Sequence, residues 1–145
     1  MFLKDVIENK DGYRIFWSND QAIRTEKDLH ILYRLTWCGT LSDINREVNN
    51  GRGPVDFEAS RGAYDKTLVE FKLASNSQLK RNLQNQVDIY LKANDTTRAL
   101  KVITYFTSEE LIKVQILLNE LKLSSSEDVI LIDARKDNKP SASKA

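Results

Sequence analysis

Two hydrophobic periods divide this chain, one of two residues that marks strands and one near 3.6 that marks helices. Val55 and Phe57 alternate with Asp56, and Val69 and Phe71 alternate with Glu70 and Lys72, which predicts strands over 55–59 and 67–73. Ser60, Arg61, Gly62 and Asp65 lie between and suit a hairpin turn within 58–66. Residues 44–49 read weakly as a strand that Asn50-Gly51 turns back into 55–59. Val102-Ile103-Thr104-Tyr105 is β-prone throughout and predicts a strand over 100–106, and Val129–Ile132 gives a last one.

The helical period appears in three places. Thr25-Glu26-Lys27-Asp28 opens a helix, with Thr25 as N-cap and acids in the first turn against the helix dipole. Leu29, Leu32 and Tyr33 form its stripe, broadened by Ile31 and Leu35 towards Trp37, and Cys38-Gly39-Thr40 stops it. Ser75-Asn76-Ser77 caps a second helix over 78–93, whose row is Leu79, Leu83, Val87 and Leu91, with Tyr90 alongside and Asn94-Asp95 at its end. Thr107-Ser108-Glu109-Glu110 is a capping box for a third, ending near Lys122. Residues 1–24 read as a lead-in, with Asp11-Gly12 turning between a short helix and a strand at Tyr13–Trp17.

The order is helix, three strands, helix, strand, helix, strand. A strand–helix–strand step through 78–93 implies a right-handed crossover and parallel pairing, whereas the preceding hairpins imply antiparallel pairing. The expected fold is α/β: a mixed central sheet with helices on both faces. One domain over 1–134 is expected, with the lead-in as the edge of a longer protein and a polar, flexible tail over 135–145.

Composition narrows the class. Of 145 residues, 41% are hydrophobic and 30% charged, which is ordinary for a globular domain. No run approaches the roughly 18 apolar residues of a membrane span, and Lys4-Asp5 follows Met1-Phe2-Leu3 at once, so neither a membrane partner nor a signal peptide is expected. The single Cys38 excludes an internal disulfide and suits a reducing, cytoplasmic compartment. With one histidine and one cysteine, any metal should be a hard, oxygen-bound cation such as Mg²⁺ or Mn²⁺. A net charge of +1 is no nucleic-acid signature. Basic residues (Arg52, Arg61, Lys66, Lys80, Arg81) nevertheless lie near the central strands in sequence, and Glu109, Glu110, Glu120, Glu127 and Asp128 lie further on.

The charges inside the apolar strands are the candidate chemistry. If 55–59 and 67–73 pair, Asp56, Glu70 and Lys72 meet on one side of a sheet, where unpaired buried charge is costly. Pro54-Val55-Asp56 followed by Glu70-Phe71-Lys72 resembles the PD-(D/E)xK motif of the restriction-endonuclease-like nucleases, with Val55 interrupting the usual proline–aspartate pair. The resemblance spans about residues 26 to 106 and includes the α-β-β-β-α-β order of that superfamily's core. It implies Mg²⁺ or Mn²⁺ on Asp56, Glu70 and the Phe71 carbonyl, and Lys72 holding the attacking water or a phosphate oxygen. A structural cluster of the same three charges is the alternative.

Such enzymes often draw another acid from the first helix or the preceding strand, which makes Glu26 and Glu47 candidates. Glu26 is equally explained as a first-turn helix acid. Gln86 and Tyr90, spaced i,i+4, resemble the Gln-x-x-x-Tyr helix motif of the exonuclease-like branch, although Tyr90 also fits as a packed aromatic. Arg52, Lys80 and Arg81 are candidates for backbone phosphates or are simply solvated. His30 has no second ligand at metal spacing beyond Asp28 and reads as a surface or half-buried residue. No Walker loop, nucleophile elbow or zinc-ribbon spacing occurs, and Gly51-Arg52-Gly53 fits a sharp turn.

The resulting expectation is a Mg²⁺-dependent nuclease, with DNA as substrate on grounds of resemblance and a restriction or phage-defence setting. A homodimer or a place within a larger protein both fit. The alternative is an inactive nuclease-fold module that binds nucleic acid or a partner protein.

Overall fold

The computed structural model describes residues 2–36, 43–49, 54–61, 65–84 and 98–139, with the side chains of 2, 34–36, 43–49, 54–61, 65–66 and 98–99 outside that description. In chain order the elements are α1 (Phe2–Asn9), a 3-10 turn (Gly12–Phe16), the short strands β1 (Trp17–Ser18) and β2 (Gln21–Ala22), and α2 (Glu26–Thr36). Strands β3 (Asp43–Asn49), β4 (Pro54–Arg61) and β5 (Asp65–Leu73) follow. Helix α3 begins at 79 and is described to 84, and β6 (Arg98–Tyr105), α4 (Ser108–Glu120) and β7 (Val129–Asp133) complete the order.

The main sheet runs β3-β4-β5-β6-β7. The first two pairings are antiparallel and the last two parallel, so the fold is mixed α/β with a parallel three-stranded part. Strand alternation gives the sheet two packed sides. On one, Val69, Phe71, Leu73, Val102 and Ile132 meet Leu3 and Ile7 of α1, Phe16, and Leu29 and Tyr33 of α2. On the other, Ile103 and Tyr105 meet Leu79 and Leu83 of α3 and Val114, Leu117 and Leu118 of α4. Tyr33 stacks on Phe71 with ring centroids 4.1 Å apart, and its hydroxyl shares a 2.8 Å hydrogen bond with that of Thr104 across the core.

Local chemistry sets the element ends. The Thr25 hydroxyl accepts from Asp28 N–H at 3.3 Å, as expected of an N-cap. Thr107 accepts from Glu110 N–H at 3.1 Å, but the Glu110 carboxylate takes Phe106 N–H at 2.7 Å, one residue before the position a capping box would use. Asn19 and Asp20 both have left-handed φ (49° and 62°) and form the two-residue loop that joins β1 to β2.

Three expectations are corrected. The strand predicted at Tyr13–Trp17 is a 3-10 turn through Phe16, with extended pairing confined to Trp17–Ser18. Its cause is packing: Phe16 enters the core, and Gly12 crosses α1 so closely that a Cβ would lie 2.7 Å from the Val6 carbonyl oxygen. Ile31 does not broaden the packed stripe of α2, since it is 55% exposed. His30 is buried rather than at the surface or half-buried, its ring 6.5 Å from that of Phe71.

At the sheet's edge, α1 covers β7. Lys4 Nζ donates to the Leu131 carbonyl at 2.6 Å, Glu8 Oε1 accepts from Asp133 N–H at 2.9 Å, and the two side chains pair with each other. Beyond β7, in the segment read as a tail, Arg135, Asn138 and Lys139 all bind the Asp133 carboxylate. Burial alone would raise the Asp133 pKa. The Arg135 guanidinium and backbone N–H, with Asn138 and Lys139, outweigh burial and hold the carboxyl far below its usual range. Beside it, burial and then the Asp133 charge push the Tyr105 phenol up to about 12.

Candidate active site on the central strand

Alternation within β5 sends Val69 and Phe71 into the α1–α2 core and leaves Glu70 and Lys72 on the opposite face. Neither is solvated: Glu70 is 5% and Lys72 8% exposed. Their charges are matched locally. Lys72 Nζ lies 3.6 Å from Glu70 Oε1 and 3.7 Å from Glu26 Oε2. Glu26 is therefore more than a first-turn helix acid. Its other oxygen accepts from Leu73 N–H at 3.3 Å and from the Asn76 side-chain amide at 2.8 Å. Asn76 in turn accepts from Gln78 N–H at 2.8 Å, which ties the approach to α3 to the same carboxylate. The first turn of α2, the end of β5 and the chain entering α3 thus converge on one ammonium.

Strand register extends the site sideways. Glu47 and Asp56 lie between the antiparallel pairs Arg46↔Phe57 and Val48↔Val55, so they face each other across β3 and β4. Phe57 pairs with Val69, and the same register carried one residue on sets Asp56 beside Glu70. Glu70 pairs in parallel with Lys101 of β6. Positions 47, 56, 70 and 101 thereby form one charged row across four adjacent strands. The side chains of Glu47 and Asp56 lie outside the described residues.

Lys101 was not singled out by sequence reasoning. It is 5% exposed, and its ammonium donates to the Leu83 carbonyl of α3 at 2.5 Å. The available signal was the one that marked Glu70 and Lys72: a charge between apolar neighbours, here Leu100 and Val102, inside a buried strand. Asn76 was read as a cap alone, and its amide is what fixes Glu26.

Of the remaining candidates, Lys80 pairs with Glu120 of α4 at 2.8 Å on an exposed surface, which joins the basic and acidic stretches instead of separating them. Arg81 is exposed on α3. Phe71, whose carbonyl was a candidate ligand, is fully buried. Arg52, Gln86 and Tyr90 lie outside the described residues. Among the described residues, no three His, Cys, Asp or Glu side chains gather as a metal site, and no helix is long and apolar enough to cross a membrane. Glu26 and Glu70 carry hard oxygen donors, the ligand type Mg²⁺ and Mn²⁺ take, and both carboxylates face the Lys72 ammonium.

A family model described as Domain of unknown function (DUF8371) matches residues 1–108, a range that includes every candidate site residue but ends at the start of α4. No curated protein matches the chain.

Proposed function

The chain belongs to this family of domains of unknown function, and we propose, on its residues and their geometry, that it is a metal-dependent nuclease of the restriction-endonuclease-like kind. The observation that carries the reading is the buried meeting of Glu26 and Glu70 at Lys72, at 3.7 and 3.6 Å. The sheet order, with two antiparallel pairings followed by two parallel ones, supports the α-β-β-β-α-β core that the resemblance implies. So does the register that brings Asp56 towards Glu70.

In this proposal Asp56, Glu70 and the Phe71 carbonyl would hold Mg²⁺ or Mn²⁺, with Glu26 or Glu47 as a further acid. The bound cation supplies Lewis acidity and lowers the pKa of water. Lys72 keeps an ammonium at the reacting phosphate, where it orients the incoming water and offsets negative charge gathering on the non-bridging oxygens. Glu26 positions Lys72, and is itself held by Leu73 N–H and Asn76. Lys101 places a second buried positive charge beside Glu70, which limits repulsion among the row of carboxylates. Duplex or single-stranded DNA cut by water attack is the proposed reaction, in a restriction or phage-defence setting.

A second reading, an inactive nuclease-fold module that binds nucleic acid or a partner protein, draws on the same contact: Lys72 is already satisfied by two carboxylates. Incubating wild type and Lys72→Ala with linear, circular and single-stranded DNA plus Mn²⁺ separates the readings. Cleavage by wild type that Lys72→Ala lacks supports the nuclease. Equal cleavage removes Lys72 from the chemistry, and DNA binding without cleavage favours the module.

A further inference from the structure

The C-terminal ends of β5, β6 and β7 lie along one side of the sheet, because these strands run parallel. Lys72 stands near that end of β5. At the same end, just past β6 and β7, is an open pocket of about 520 Å³ lined by Tyr13, Arg14, Trp17, Asp20, Lys136 and Lys139 among others.

The pocket's walls are aromatic and cationic together. Trp17 is anchored from behind, its indole N–H donating to the Ala134 carbonyl at 2.8 Å and its ring edge-on to Phe106 at 5.8 Å. Lys136 Nζ lies 5.7 Å from the Trp17 ring centroid and Lys139 Nζ 5.8 Å from that of Tyr13. Lys136 also pairs with Asp20, and Lys139 with Asp133 at 3.2 Å. Arg14 is exposed and makes no ion pair among the described residues. Three basic side chains and the Asp20 carboxylate thus line the pocket, with Lys136 paired to Asp20, Lys139 to Asp133 behind it, and Arg14 left facing solvent. Half-buried aromatic rings beside cations are what a flexible strand needs: a face for a base to stack on and positive charge for the adjoining phosphate. A duplex, whose bases are already stacked, cannot use the rings.

We infer that this pocket binds single-stranded nucleic acid, with bases on Tyr13 and Trp17 and phosphates on Arg14 and Lys136. The inference rests on the nuclease reading for its biological meaning, since it names an unpaired strand as the form in which substrate is held; the pocket shares the strand ends with Lys72 but lies on the α1–α2 side of the sheet. Binding itself is separable from cutting.

The test is fluorescence anisotropy of labelled oligo-dT and oligo-U in EDTA, with a duplex of equal length as control. Wild type should bind single strands more tightly than duplex, and the dT and U arms tell DNA from RNA. Arg14→Gln/Lys136→Gln should weaken binding at least about ten-fold and flatten the log–log salt dependence by roughly 0.7 per lost phosphate contact. Tyr13→Ala should weaken it roughly five-fold or more, with Arg14→Lys near wild type and melting curves verifying folding. Lys27→Gln, at an exposed position of α2 outside the pocket, should bind as wild type does. Affinity and salt slope unchanged in the double variant, duplex bound as tightly as single strand, or no binding at low salt would each overturn the inference. Loss of cleavage in Lys72→Ala with the pocket variants still binding normally would leave the nuclease reading standing without it.

Discussion

The carboxylate of Glu26 joins helix α2 to the central strand: one oxygen lies 3.7 Å from Lys72 Nζ while the other accepts from Leu73 N–H at 3.3 Å. These two duties can be separated by substitution. Glu26→Gln keeps an acceptor for Leu73 and Asn76 but loses the charge facing Lys72. It should melt close to wild type and lose Mn²⁺-dependent cleavage by about 10- to 100-fold, as positioning groups around metal sites do. Glu26→Ala loses the acceptor as well and should be about 1–2 kcal/mol less stable by urea unfolding. Equal stabilities of the two variants would show that the Leu73 contact contributes nothing.

Lys101 and Glu70 are register neighbours, both nearly inaccessible to water. Lys101→Met should destabilise by roughly 1–3 kcal/mol, because it leaves the buried Leu83 carbonyl without its donor and removes one of the two positive charges near Glu70, the other being Lys72. Pairing it with Glu70→Leu should recover part of the loss, giving a coupling of at least about 1 kcal/mol in a double-mutant cycle. Strict additivity would mean that the two charges do not sense each other.

The bond between Tyr33 and Thr104 crosses the core at full burial. Burial also holds the Tyr33 phenol well above its usual pKa, so the hydroxyl stays neutral throughout the working range. Tyr33→Phe and Thr104→Val should each cost about 1–2 kcal/mol, since each strands a buried hydroxyl or removes its bond. The double variant should cost less than their sum, as measured by chemical denaturation.

Asp133 predicts an acid-side stability loss. Its folded pKa is depressed, so its contribution is complete above the unfolded value of about 4 and disappears as the pH falls from there towards the folded value. Thermal melting of Asp133→Asn should therefore lie below wild type at pH 7, and the two curves should converge on acidification below about pH 4. A constant difference down to pH 3 would show that the Arg135 network is not the source.

What the linear pattern conveyed was whatever local chemistry determines. The alternation through Val69, Glu70, Phe71 and Lys72 placed those side chains on their proper faces, and Thr25 and Thr107 cap the helices they precede. Contacts made only in three dimensions were less legible. The first-turn position of Glu26 gives no direction for its carboxylate; the packing of α2 on β5 does that. Tyr13–Trp17 has a strand-like composition, but burying Phe16 beneath α1 demands a tighter turn. Lys101 carried the same anomaly as its neighbours and was hidden in a run otherwise read as apolar. Its partner Leu83 lies on helix α3, outside the strand, so no spacing rule connects them.

The covering of β7 by Lys4 and Glu8 has a consequence for association. An edge strand normally offers its free N–H and C=O groups to any passing extended chain. Here the carbonyl of Leu131 and the N–H of Asp133 are already taken by side chains of the N-terminal helix. A strand arriving from another molecule would have to evict that helix before it could lengthen the sheet on this flank. The first helix thus guards against runaway polymerisation as well as filling the core.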